Sequence, residues 1–146
     1  MTLYLDTSSL VKLYVAEAGT EDVRRLVNEA TVVATSLIAY PETRAALARR
    51  RRERALGSTA FTTAKRAFET DWPKYVAVEV SDSLCREAGE FAEQYRLRGY
   101  DSVHLASFAE VARQAGRRQT RFSSFDDGLN RAARLLVRKL AHRSQR

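Results

Sequence analysis

The chain has 146 residues, 45% of them apolar, which is enough for one hydrophobic core and matches the usual size of a single domain. Two prolines and six glycines exclude collagen-like and low-complexity chains, and one cysteine excludes a disulfide framework or a cysteine-rich zinc site. Lysine and arginine number 25 against 18 acids, a formal charge of +7, so a polyanion is the expected partner and nucleic acid the first candidate.

No apolar run approaches the ~18–20 residues that span a bilayer. The opening MTLYLDTSS has no basic n-region and reaches Asp6 too early for a signal peptide. A soluble, cytoplasmic protein without membrane contact is expected.

Leu3-Tyr4-Leu5 reads as a short buried strand closed by Asp6-Thr7-Ser8-Ser9. Leu10, Val11, Leu13 and Tyr14 follow at helical spacing, which gives the serines the look of a helix N-cap. Glu21 to Ala30 is a second helix with Val23, Leu26 and Val27 as its stripe, and Thr31 to Ser36 is a β-branched second strand. A helix is predicted from about Ile38 to Arg54, with Pro41 admissible only in its first turn, where the backbone N–H needs no partner. Another covers about Thr59 to Trp72, stopped by Pro73.

Tyr75 to Val80 is the third strand. Ser81 starts a helix with Leu84, Cys85, Ala88, Phe91, Ala92 and Tyr95 on one face, and Gly99 is expected to end it. Asp101 opens a helix to Ala115 that is apolar on nearly every side, the pattern of an element buried between others. Arg121 to Ser124 is a poor strand by composition, and only its place between two helices makes it the fourth. Asp126-Asp127-Gly128 begins a last helix carrying Leu129, Ala132, Ala133, Leu136 and Leu140. Strands alternating with helices imply an α/β fold: a three-layer α/β/α sandwich around a central, mostly parallel sheet of four to five strands. A single domain is expected over residues 1–146, with a basic tail from about 137.

In an open parallel sheet, ligands bind outside the carboxyl ends of the strands. The acids recur there: Asp6 ends strand one, Glu42 follows strand two, Asp101 begins the buried helix and Asp126 follows strand four. Each has a plain structural alternative as a helix cap or first-turn acid. Together on one rim they would repel, and without compensation one or more would stay protonated. A divalent cation such as Mg²⁺ or Mn²⁺ removes that repulsion, prefers oxygen ligands and can activate water toward a phosphodiester.

Leu5-Asp6-Thr7-Ser8, Glu42 within PETRAAL, YDSVHLA around Asp101 and the SSFD ending at Asp126, in this order and spacing, resemble the PIN-domain ribonucleases. More narrowly they resemble VapC-type toxins of bacterial toxin–antitoxin pairs. The resemblance covers residues 3 to about 133 and implies a metal-dependent endoribonuclease that leaves a 5′-phosphate and a 3′-hydroxyl. It makes Asp6, Glu42, Asp101 and Asp126 the catalytic acids. Asp6, Asp101 and Asp126 would ligate the metal, Glu42 directly or through water, and Ser8 and Ser124 would support them. It also implies a VapB-type antitoxin and a homodimer. Asp126 is preferred to its neighbour Asp127 on the serine-X-aspartate phrasing.

Two arginine-rich segments hold twelve of the 25 cationic residues: Arg44, Arg49 to Arg52 and Arg54; and Arg131, Arg134, Arg138, Lys139, Arg143 and Arg146. A solvated face is the usual meaning of such a run, and phosphate neutralisation the functional one; Arg44, Arg49 and Arg50 are the expected RNA contacts. His104, three residues after Asp101, is read as a buried, hydrogen-bonded packing residue, and Cys85 as a core thiol. Tyr40, Phe61, Phe68, Trp72 and Tyr75 are read as core before base-stacking platforms. By family analogy an apolar groove for an antitoxin segment is expected near the first and third helices.

Two other enzyme classes with strand-end acids do not fit. Haloacid-dehalogenase-like phosphatases need Asp-X-Asp, and Ser8 stands where the second acid would be; receiver domains need an acidic pair and a late lysine. No two glycines lie closer than ten residues, so a Gly-rich phosphate cradle is absent. The non-enzymatic alternative is a basic RNA-binding or partner-docking module on a degenerate PIN fold.

Overall fold

The computed structural model describes residues 1–143. Four strands, β1 (Thr2–Leu5), β2 (Val32–Ser36), β3 (Val76–Val78) and β4 (Thr120–Ser123), form one sheet in the order β3-β2-β1-β4 with every pairing parallel. Among the described residues seven α-helices cover it: α1 (Thr7–Val11), α2 (Thr20–Glu29), α3 (Ala39–Arg52), α4 (Ser58–Asp71), α5 (Asp82–Tyr95), α6 (Gly99–Ala115) and α7 (Asp127–Arg143). No helix among the described residues is long and apolar enough to cross a membrane.

β1 is central, and the alternation of a strand sends its side chains to opposite layers. Leu3 and Leu5 pack with Leu10, Val23, Ala39 and Phe68 from α1 to α4. Tyr4 packs with Leu84, Leu105, Phe108 and Leu129 from α5, α6 and α7. All three β1 residues are fully buried, the near-continuous apolar run of a strand covered on both faces. The result is the expected three-layer α/β/α sandwich, with four strands.

β4 reads poorly because it is an edge strand, where polar residues are tolerated on the unpaired side. Phe122 turns inward, stacked on Tyr4 at 5.7 Å and tilted against Phe108 at 4.9 Å, while Arg121 faces outward toward Glu29. Its register with β1, Leu5 opposite Ser123, brings the two strand ends side by side.

Several expectations are corrected. The N-cap of α1 is Asp6, not a serine: its extended backbone and its carboxylate meet the free N–H of Ser9. Gly99 does not end α5 but is the first residue of α6; α5 stops at Arg96, whose φ of 54° takes the left-handed conformation that closes a helix. Asp101 therefore lies within the first turn of α6, with Arg98 as N-cap. Cys85 is exposed, since the buried stripe of α5 runs through Leu84, Ala88 and Phe91. Residues 137–143 of the expected basic tail continue α7, with Val137 and Leu140 packed on the core. Arg146 lies outside the described residues.

Where α1 and α3 meet, Val11, Val15 and Leu47 pack on Ala64 of α4. The aromatics Tyr40, Phe68, Trp72 and Tyr75 pack on one another under that layer, and Phe68 is wholly buried.

Candidate active site at the carboxyl ends of the strands

Asp6 follows β1 directly and is 4% exposed. Its Oδ1 accepts from the Ser8 hydroxyl at 2.7 Å and the Ser9 N–H at 3.0 Å, and its Oδ2 accepts from the Ser124 hydroxyl at 2.6 Å. The end of β4 is tied to the same turn. The Asp6 N–H donates to the Ser123 carbonyl at 3.2 Å, and the Phe125 N–H to the Ser8 hydroxyl at 2.9 Å. Ser8 and Ser124 thus fix the carboxylate from two distant parts of the chain. A carboxylate has about four acceptor positions, and three are used here.

Asp126 caps α7, with Oδ1 accepting from the Leu129 N–H at 2.7 Å, while its own N–H donates to the Ser124 hydroxyl at 3.0 Å. Capping and membership of the acidic rim coexist in Asp6 and Asp126, because a cap occupies only part of a carboxylate. Asp127 is an exposed first-turn residue of α7.

Asp101 shows that these acids share one field. Burial raises its carboxyl above the ordinary range; the charge of Asp126 raises it further, Arg98 pulls the other way, and Asp6 adds to the rise. Arg98 offers little relief, since its guanidinium is 3.7 Å away and its side chain is 86% exposed.

Glu42 is held apart from this trio by its own network. Its Oε1 accepts from the Thr7 hydroxyl at 2.7 Å and meets Nε2 of His104 at 2.8 Å. Burial alone would raise its carboxyl, but the hydrogen bonds of His104 and Thr7 outweigh that and hold it below the usual value. The imidazole is 2% exposed, and its Nδ1 meets the hydroxyl of the fully buried Tyr4 at 2.8 Å. His104 is therefore buried and hydrogen-bonded as expected, yet its partner is one of the four acids. Thr7 and Tyr4 were not singled out from sequence. The available signal was His104 itself: a polar ring in an apolar helix must find partners, and the strand-end acids were the candidates.

The three arginines expected to bind RNA separate. Arg44 pairs with Glu69 at 2.6 Å, and Arg50 with Glu17 at 3.2 Å. Arg49 is exposed and lines a cleft of about 890 Å³ together with Glu42, Asp101, Arg98 and Tyr100.

Chemically the donor set is all oxygen, as a hard dication prefers. Among the described residues no three His, Cys, Asp or Glu side chains form a ready-made metal cage. What the site does have is a concentration of negative charge on Asp101, Asp126 and Asp6, opposed at Asp101 by Arg98 and more weakly by His104, which a cation would relieve.

The sequence model of the PIN domain matches residues 3–135. The chain belongs to the PIN-domain family. Two relatives in Mycobacterium tuberculosis, ribonuclease VapC45 and ribonuclease VapC49, are each 37% identical to it over 109 residues, covering 75% of this chain and 76% of theirs. This PIN domain also superposes on solved structures. VapC20 of Mycobacterium tuberculosis, described as a sarcin-ricin loop cleaving toxin, matches with a TM-score of 0.65 at 24% identity, over 89% of this chain and 94% of that one. FitAcB from Neisseria gonorrhoeae matches with a TM-score of 0.63 at 16% identity, over 90% and 92%. At those identities the likeness is one of fold.

Proposed function

We infer that this PIN domain is a toxin endoribonuclease of the VapC kind, acting in the cytoplasm and restrained by a cognate VapB-type antitoxin. The observation that carries the reading is the shared field of Asp6, Asp101 and Asp126 at the carboxyl ends of β1 and β4, in a chain 37% identical to named ribonucleases. We assign Asp6, Asp101 and Asp126 to holding Mg²⁺ or Mn²⁺, with Glu42 joining directly or through water. Mg²⁺ usually keeps several of its waters, so a cage of three direct protein ligands is not required. When bound, the dication supplies charge stabilisation at the phosphoryl oxygens and a water acidified enough to attack near neutral pH.

The chain's own residues supply the rest. Ser8, Ser124 and the Ser9 N–H hold the Asp6 carboxylate in one orientation before substrate arrives, so no reorganisation is needed during the reaction. Thr7 and His104 keep Glu42 ionised and fixed. In the reaction water attacks phosphorus in line, the bond to the 3′-oxygen breaks, and that oxygen takes up a proton. The products are a 5′-phosphate and a 3′-hydroxyl. With Arg44 and Arg50 engaged by Glu69 and Glu17, Arg49 is the member of that arginine run assigned to the RNA backbone. A homodimer is proposed on the family resemblance.

The test is cleavage of RNA by the purified chain. Hydrolysis should require Mg²⁺ or Mn²⁺, stop with EDTA, and be abolished by Asp6→Asn with an unchanged circular dichroism spectrum. Cleavage indifferent to both EDTA and Asp6→Asn would leave a basic RNA-binding module in place of the enzyme. Growth arrest on expression, relieved by the product of the adjacent reading frame, would separate a toxin from a housekeeping nuclease.

A further inference from the structure

We propose that Phe125 is a positioning residue of the acidic rim: its ring, seated against Gly19 and Lys12, holds the turn 124–126 so that Ser124 and Asp126 stay fixed beside Asp6. This rests on the nuclease reading and adds a side chain that acts on the site through its neighbours.

Phe125 lies between Ser124 and Asp126 in the turn after β4 and is 46% exposed. A large ring between polar site residues needs a seat, and two features supply one. Gly19, the N-cap of α2, has φ +93°, and a Cβ built on it would stand 2.5 Å from Cε1 and 2.6 Å from Cζ of the ring. The backbone before α2 therefore comes closer to the ring than any side chain at that position would permit. Nζ of Lys12 lies over the ring, 4.4 Å from its centroid, which adds a cation–π attraction.

The seat is itself anchored. Lys12 pairs with Glu17 at 3.1 Å, and Glu17 with Arg50 of α3 at 3.2 Å, all three side chains being mostly buried. The Glu17 N–H donates to the Thr20 hydroxyl at 3.0 Å, and that hydroxyl donates to the Val15 carbonyl at 3.2 Å. From the ring the hold passes to the acids through short bonds. The Phe125 N–H donates to the Ser8 hydroxyl, which donates to Oδ1 of Asp6. On one side of the ring Ser124 donates to Oδ2 of Asp6; on the other, Asp126 accepts from the Leu129 N–H. A ring that left its seat would let the turn swing, freeing the Ser124 donor at one Asp6 oxygen and the N–H that orients Ser8 at the other. Groups that orient metal-ligating carboxylates without touching the metal are worth roughly 10- to 100-fold in affinity.

The experiment uses the full chain, with Mn²⁺ binding followed by electron paramagnetic resonance and amide exchange of the metal-free protein followed by NMR. Phe125→Ala should weaken Mn²⁺ binding roughly 10- to 100-fold and lower kcat at a fixed Mn²⁺ concentration, with KM for RNA in place. In the metal-free protein the amides of residues 125 and 126 should exchange faster relative to those of α6. Gly19→Ala, whose methyl drives the ring from its seat, should act in the same direction. The double variant should bind Mn²⁺ no worse than Phe125→Ala alone, because the methyl then has no ring to displace. Phe125→Ala protein that binds Mn²⁺ like its parent and keeps both amides protected would overturn the proposal. So would losses from the two substitutions that multiply in the double variant, or a loss confined to KM, which would make Phe125 a substrate contact instead. The nuclease reading fails separately: a parent that neither binds Mn²⁺ nor cuts RNA defeats that reading, and amide exchange in the metal-free protein still decides whether the ring holds the turn.

Discussion

His104 links the buried core to an acid of the site, and its removal has a cost that can be worked from the structure. In His104→Leu the Tyr4 hydroxyl, inside a fully buried residue, loses the ring nitrogen 2.8 Å away. An orphaned buried hydroxyl costs about 1–3 kcal/mol. The Ser107 hydroxyl also interacts with the phenol, which puts this loss toward the lower end, about 1–2 kcal/mol. The second bond, to Glu42, is charge-assisted, but Glu42 keeps Thr7 and its side chain is 27% exposed, so water recovers part of it. About 1 kcal/mol remains from that side. The total is about 2–3 kcal/mol, or about 4–12 °C in Tm for a chain of this size. Tyr4→Phe breaks the same Tyr4–His104 bond, so the double variant should cost less than the sum of the singles by about 1 kcal/mol. Urea unfolding of all four proteins, followed by fluorescence and circular dichroism, measures the cycle. A His104→Leu cost below about 0.5 kcal/mol, or strict additivity with Tyr4→Phe, would refute the network as the link between core and Glu42.

Asp101→Asn should stabilise the metal-free protein while abolishing cleavage. The Asp101 carboxyl is raised on folding, so the folded state binds its proton more tightly than the unfolded state does. The penalty of ionising it is absent below the unfolded value near 3.9, grows as pH rises through the folded value, and is fully present beyond it. The gain in Tm should therefore appear at pH 7 and vanish near pH 3; a loss at pH 7 in a calorimetric series would contradict the repulsion. Mg²⁺ at about a hundred times its dissociation constant should stabilise the parent by about 2.7 kcal/mol and leave Asp101→Asn almost unmoved, as read by thermal shift. Gly19→Ala should lower stability by about 1–2 kcal/mol, because Gly19 has φ +93° and the new methyl would lie 2.5 Å from the Phe125 ring. Chemical denaturation would expose the error if the variant matched the parent.

Much of this protein can be read from local pattern. The run Leu3-Tyr4-Leu5 is apolar throughout because β1 is covered on both faces, and the all-round apolar α6 is buried because it lies in the layer under that strand. The ordered acids Asp6, Glu42, Asp101 and Asp126 were visible because strand ends and helix starts are marked by local chemistry. Where the reading failed, the deciding interaction was not local. Cys85 shares a rough helical stripe with Leu84, but which edge of that stripe faces the sheet depends on how α5 docks. Arg50 resembles its neighbours until Glu17, 33 residues away, is brought against it.

Sequence alone determined the layered α/β architecture and the acids placed at the strand ends, because periodicity and turn chemistry act over a few residues and leave a direct trace. Only the tertiary structure decided that Ser8 and Ser124 grip one carboxylate across 116 residues of chain, that Tyr4 and His104 govern Glu42, and that Arg49 rather than Arg44 or Arg50 borders the site. Such contacts depend on strand order and on the angle at which helices pack, and no short stretch of sequence carries either.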